Sequence, residues 1–292
     1  VRKTIEECGF TPNVNAIGLR TNRSNSIGVI VPDITNEFFA RIIRELDASL
    51  LSRRYSLLVC NSNEDYMLEN MHIKGLAEKH VDGIIYISGQ NEIKKMNEIK
   101  NLPIVYIDRA PKNAEVLILS DNETGGYLAG RELIQKGCRR ILFLRDIRFA
   151  STVRSRKEGF VRALQEKGMA FNEELEMSCF PEYAEARVVM ERLLKEKGCF
   201  FDGIFATNDM MALACVNVLT ENQIKVPGQV KVVGFDNISL TQFTSPQITT
   251  IAQDTKELAL HAADTILKMI EDEEIKEKKT IIPVRLVVRE TT

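Results

Sequence analysis

Apolar residues follow two alternating rhythms along this chain from Ile27 onward. Short apolar runs read as buried strands at Ile27–Val31, Ser56–Cys60, Gly83–Ile87, Ile104–Ile107, Val116–Leu119, Ile141–Leu144, Gly203–Ala206 and Lys231–Gly234. Between them, apolar residues recur three and four apart over Glu37–Arg53, Tyr66–Lys79, Asn122–Lys136, Arg154–Lys167, Ala184–Lys197 and Asp209–Asn222. That spacing lines up one face of a helix. Near-continuous apolar strands alternating with amphipathic helices predict parallel sheets covered on both faces. The strands are too many for one tidy sheet. The pattern therefore predicts an α/β chain of two doubly wound parallel-sheet domains.

Polar residues gather where the strands end. Asp33 and Asn36 follow the first strand, Asn61 the second, Asp108–Arg109 the fourth, Asp121 the fifth, Arg145–Asp146 the sixth, Asn208–Asp209 the next and Asp236 the last. Carboxyl ends of parallel strands form the ligand crevice in open α/β sheets. Any one of these residues reads more readily as a helix N-cap than as a ligand contact; the collection is the signal. With Phe38, Phe39 and Phe180 nearby as flat apolar faces, the set suits a polyhydroxylated ring.

The ends of the chain differ from its body. Residues 1–8 read as the last turns of a helix with Gly9 as its cap, Thr11-Pro12-Asn13 as a new helix start, and Thr21 to Ser26 as a polar linker. The first 26 residues hold Arg2, Lys3, Arg20 and Arg23 against Glu6 and Glu7, whereas the whole chain carries −2. A basic end on an acidic body points to an anionic partner for that end. Six scattered cysteines with no C-x-x-C pair suit a reducing cytoplasm. Neither a secretory signal nor a membrane-spanning run is visible. Phosphate-loop, dinucleotide, zinc-protease, nucleophile-elbow and calcium-loop motifs are absent, and His72, His80 and His261 neighbour no second ligand. No cofactor and no metal are expected, and an enzyme is poorly supported. Gly125-Gly126 in TGGYLAG reads as a site of close helix packing.

The segments IEECGFTPN, SIGVIVPDITNEFF, VDGIIY, PIVYIDR, SDNETGGYLAGREL, RSRKEGF, FATNDMMALA, VPGQVKVVGFD, ITTIAQ and PVRLVVRE, in this order, resemble the lactose-repressor (LacI/GalR) family of bacterial transcriptional regulators. The resemblance covers essentially the whole chain. It implies a helix-turn-helix before Val1, a hinge helix, and two lobes of the type I periplasmic-binding-protein kind joined by three crossovers. The implied boundaries are 1–26 for the end of the DNA-binding domain and hinge, 27–138 plus 254–277 for one lobe, and 139–253 plus 278–292 for the other.

By the same resemblance, hinge residues Asn13, Ala16, Leu19 and Arg20 face operator DNA, with Leu19 wedged in the minor groove and Arg20 near phosphate. Similarity to ribose-binding proteins implies an effector site of Asn36, Phe38, Phe39, Asp108, Arg109, Arg156, Phe180, Asn208, Asp236 and Gln253. Phe38 and Phe39 would stack on one sugar face and Phe180 on the other, while the polar members hold hydroxyls. Arg145-Asp146 stand where the family often has Gly-Gly, so two charges near the cleft are expected either to narrow it or to alter the ligand. The expected protein is a cytoplasmic, homodimeric, sugar-responsive repressor, its ligand ribose or a similar monosaccharide. A transport-type sugar-binding protein is the rival reading.

Overall fold

The computed structural model describes residues 23–87, 102–148 and 150–292. Two six-stranded sheets organise them. The first contains β1 (Ser26–Val31), β2 (Ser56–Asn61), β3 (Gly83–Tyr86), β4 (Ile104–Ile107), β5 (Leu117–Ser120) and β11 (Lys279–Ile282). Its spatial order is β11-β5-β4-β3-β1-β2, and every pairing in it is parallel. The second contains β6 (Ile141–Asp146), β7 (Glu176–Cys179), β8 (Gly203–Ala206), β9 (Lys231–Asp236), β10 (Thr249–Ala252) and β12 (Arg285–Val287). Its order, β12-β10-β9-β8-β6-β7, repeats the first place for place, except that β12 runs antiparallel to β10.

Helices cover both faces of each sheet. In the first lobe α1 (Glu37–Leu51) and α8 (Thr255–Ile270) pack one face, and α2 (Tyr66–Glu78) the other. Helix α1 forms because Asn36 caps it, accepting from the Phe38 amide, and because Phe39, Ile42, Leu46 and Leu50 fall on one buried stripe. In the second lobe α3 (Asn122–Gln135) and α4 (Ser151–Gln165) cover one face, α5 (Tyr183–Lys197) and α6 (Asp209–Glu221) the other. A four-residue helix, α7 (Leu240–Phe243), follows β9.

The expected glycine packing is present. A Cβ on Gly126 would lie 1.9 Å from the Arg156 carbonyl oxygen, and one on Gly159 1.8 Å from that of Glu123. Only glycine lets α3 and α4 approach this closely.

Two expected lobe boundaries move. Helix α3 buries Ala129, Leu133 and Ile134 against Phe143, Phe160 and Phe205, so it belongs to the second lobe and the first crossing falls at about residue 121, not 138. Strand β11 pairs with β5 in the first lobe, so the last crossing falls at about 283, not 278. The middle crossing lies between Ala252 and Thr255. The helix expected from Arg154 begins at Ser151, and β6 and β9 run on through Asp146 and Asp236. Strands β7, β10, β11 and β12 have no counterpart among the expected elements. Among the described residues no helix is long and apolar enough to cross a membrane, and no cluster of His, Cys, Asp and Glu is arranged for a metal.

Candidate ligand-binding site

The carboxyl ends of the two sheets face each other across a cleft of about 750 Å³. Its first-lobe wall includes Asn36, Phe38, Phe39, Glu64, Asp108 and Arg109. Its second-lobe wall includes Asp146, Arg148, Arg156, Asn208, Asp236 and Ile238. Phe38 and Phe39 meet edge to face, 5.3 Å between ring centres, and supply the apolar face.

Two carboxylates dominate the floor. Asp108 follows β4 and Asp236 ends β9, the third strand in each sheet's order. Both have left-handed backbones, φ +67° and +108°, which non-glycine residues adopt at a cost of about 1–3 kcal/mol. Such strain persists only where surrounding structure enforces it. Both side chains are buried.

Burial pushes the Asp108 carboxyl above its ordinary range; Arg156 and Arg109 oppose the shift, and Glu64 adds to it. Burial likewise pushes Asp236 up to about 7, against the pull of Arg156 and a hydrogen bond from Gln253. Behind it, Asp209 is raised well above its usual value by burial and then by Asp236, and accepts from Thr250 Oγ1 and the Ile238 amide. Gly234 makes room for Asp209, since a Cβ there would lie 2.2 Å from its Oδ1.

Arg156 is anchored on all sides. Its Nε donates to Asn122 Oδ1 at 2.8 Å, its Nη1 to the Thr207 carbonyl at 2.5 Å, and its Nη2 lies 3.9 Å from Asp236 Oδ1. The guanidinium stacks 3.6 Å from the centre of the Phe235 ring. Arg109 donates through Nη2 to Glu64 at 2.8 Å, but its Nε and Nη1, with Asp108 Oδ1, are buried and have no hydrogen-bond partner among the described residues. An unsatisfied buried polar group costs about 1–3 kcal/mol, more when charged.

The lobes also grip each other directly. Glu37, at the start of α1, accepts from the Ser239 amide and hydroxyl beside α7 at 2.7–3.0 Å. Arg41 donates to the Asn237 carbonyl, and Ser151 Oγ accepts from the Ala110 amide.

A model of the periplasmic binding protein-like domain matches residues 131–292. The transcriptional repressor PurR of Histophilus somni is 30% identical over 295 residues, spanning 100% of this chain and 88% of that protein. The ribose operon repressor of Halalkalibacterium halodurans is 30% identical over 292 residues, spanning 100% and 87%. This chain belongs to the LacI family of transcriptional regulators. Among solved structures, a LacI-family regulator from Enterococcus faecium with bound ribose superposes with a TM-score of 0.81 at 26% identity, covering 91% of this chain and 98% of that one.

The LacI-family chain brings most of its expected site residues to the cleft: Asn36, Phe38, Phe39, Asp108, Arg109, Arg156, Asn208 and Asp236 line it. Three expectations need correction. Phe180 does not line the cleft and is 49% exposed, with the guanidinium of cleft-lining Arg148 5.8 Å from its ring centre. Gln253 sits behind Asp236 as a supporting donor. Arg145 turns away to pair with Glu176, so only Asp146 of that pair reaches the cleft. The hinge residues Asn13, Ala16, Leu19 and Arg20 lie outside the described residues. Sequence reasoning missed Glu64, Arg148, Asn122 and Thr207. Glu64, in the polar run NSNED, looks like any capping acid, and Thr207 acts through its backbone.

Proposed function

We propose that the cleft takes one neutral monosaccharide, ribose or a close relative, and that its occupancy sets the balance between open and closed lobes. The carrying observation is the trio of unsatisfied buried atoms, Asp108 Oδ1 with Arg109 Nε and Nη1, at a cleft that also offers Asp236 and Arg156. Vicinal hydroxyls both donate and accept, so they satisfy carboxylate and guanidinium together. Charge argues for a neutral ligand. Arg109, Arg148 and Arg156 are matched by Glu64, Asp108, Asp146 and Asp236, leaving no surplus cation for a phosphate. The named ligand of the Enterococcus regulator and the named operon of the Halalkalibacterium repressor support ribose.

The protein is then a cytoplasmic, homodimeric repressor whose operator contacts come from the segment before Ser26. Sugar shifts the lobe equilibrium only by its difference in affinity for the two states, and DNA must change sugar affinity by the same factor. Isothermal titration with D-ribose, D-xylose, D-glucose and D-fructose tests the reading. Saturable heat with one sugar is expected; no heat with any of them refutes it. Sedimentation at micromolar concentration is expected to show a dimer.

A further inference from the structure

Glu64 and Arg148 are tied to each other across the cleft. Arg148 Nη1 lies 2.5 Å from Glu64 Oε2, while its Nε and Nη2 hold Asp146 at 2.7–3.1 Å. Glu64 Oε1 accepts from Arg109 at the same time. The result is a continuous bridge, Asp108–Arg109–Glu64–Arg148–Asp146, running from one lobe to the other. Most of it is withdrawn from water: the Glu64, Arg109 and Asp146 side chains are 10%, 9% and 6% exposed, Arg148 28%.

The backbone beneath Glu64 is built for this placement. Asn63 and Glu64 are both left-handed, φ +50° and +56°, a conformation disfavoured by about 1–2 kcal/mol per L-residue. Asn tolerates it; Glu gains nothing locally from it. On the far side, Arg148 covers Phe180, an aromatic that is otherwise half open to solvent beside cleft-lining Pro181.

We propose that Glu64 and Arg148 are specificity-determining residues that shut the Phe180 end of the cleft and exclude glycosides. A free sugar fits behind the bridge, whereas a substituent extending toward Phe180 must break a largely desolvated ion pair. Withdrawing Arg148 exposes a flat ring suited to an aromatic aglycone. This inference rests on the cleft being a sugar site.

The test uses D-ribose, D-xylose and D-glucose with the phenyl α- and β-glycosides of each, titrated calorimetrically into the wild type, Arg148→Ala and the double variant Glu64→Gln/Arg148→Ala. The double variant removes the Glu64 carboxylate together with Arg148 but leaves buried Asp146 only the residue-148 amide as donor, so thermal melts check that both variants fold. The wild type is expected to prefer free sugar over glycoside by at least about 100-fold, equivalent to about 2.7 kcal/mol. In the double variant that ratio should fall at least tenfold, and adding Phe180→Ala should restore most of it. A ratio unmoved in both variants overturns the proposal while leaving the sugar site standing. Absence of binding by every free sugar to the wild type overturns the sugar site and the proposal together.

Discussion

Replacing Arg156 by Met keeps most of the side-chain volume and removes the charge. Asn122 Oδ1 and the Thr207 carbonyl lose a donor, and Asp236 loses the cation 3.9 Å away. At an effective dielectric constant of about 20, that ion pair alone is worth roughly 4 kcal/mol before desolvation. Removing one partner of a buried pair typically costs about 3–5 kcal/mol. Arg156→Met should therefore lower stability by that amount at pH 8, where Asp236 is ionised, as read by urea unfolding followed by circular dichroism. Asp236→Asn removes the carboxylate that Arg156 compensates, so the double variant should be less damaged than the two single losses combined, by about 1–3 kcal/mol. At pH 5.5, below the Asp236 value of about 7, that coupling should shrink because the carboxyl is already neutral. Additivity within about 0.5 kcal/mol at pH 8, or equal coupling at both pH values, would refute the pairing.

Four further outcomes are expected. Asp108→Asn should weaken sugar binding by about 1.5–3 kcal/mol, roughly 12- to 160-fold in Kd by calorimetry; a change under threefold would show that Asp108 does not touch the ligand. Because the folded-state value of Asp236 is raised, its contribution to stability is full below its unfolded value and lost as pH rises through about 7. Wild-type stability should thus fall relative to Asp236→Asn between pH 4 and pH 8, by about 4 kcal/mol at most, and a rise would contradict burial as the cause. A sugar hydroxyl donating to Asp236 favours its ionised form, so binding at pH 7 should release protons, and the heat should differ between Tris and phosphate buffers. Gly126→Ala should destabilise the second lobe by about 1–3 kcal/mol despite better helix propensity, since its Cβ meets the Arg156 carbonyl; an unchanged melting temperature would count against the tight α3–α4 contact.

The hydrophobic rhythm made most of the architecture legible, because strands buried on both faces are written as unbroken apolar runs. Ile27–Val31 and Gly203–Ala206 are such runs, and both are strands. Edge strands were opaque for the opposite reason. EMSC in β7 and RLV in β12 are partly solvated and carry little apolar signal. The assignment of α3 also eluded local patterning. An amphipathic helix does not state which sheet it covers; its packing on Phe143, Phe160 and Phe205 and the glycines meeting α4 decide it.

At the site, single residues at strand ends were readable, since strand direction alone puts them in the crevice. Phe180 was misplaced because its neighbourhood depends on Arg148, a residue of another loop with no sequence signature. Glu64 was hidden in the same way. Its role arises from a left-handed backbone and a partner in the opposite lobe, neither of which a linear pattern carries.

The place-for-place match of the two sheets, with Asp108 and Asp236 at corresponding strand ends, makes the cleft a chelate of two half-sites. A ligand captured by one half meets the other at an effective concentration fixed by the tether between lobes. That tether is the trio of crossings near Asp121, Gln253 and Pro283, none of which lines the cleft. Stiffening or lengthening those segments would retune the ligand concentration at which the lobes close while leaving every contact to the ligand as it was. On the proposed function, sensitivity and selectivity are therefore separable, the first held in the crossings and the second in the walls.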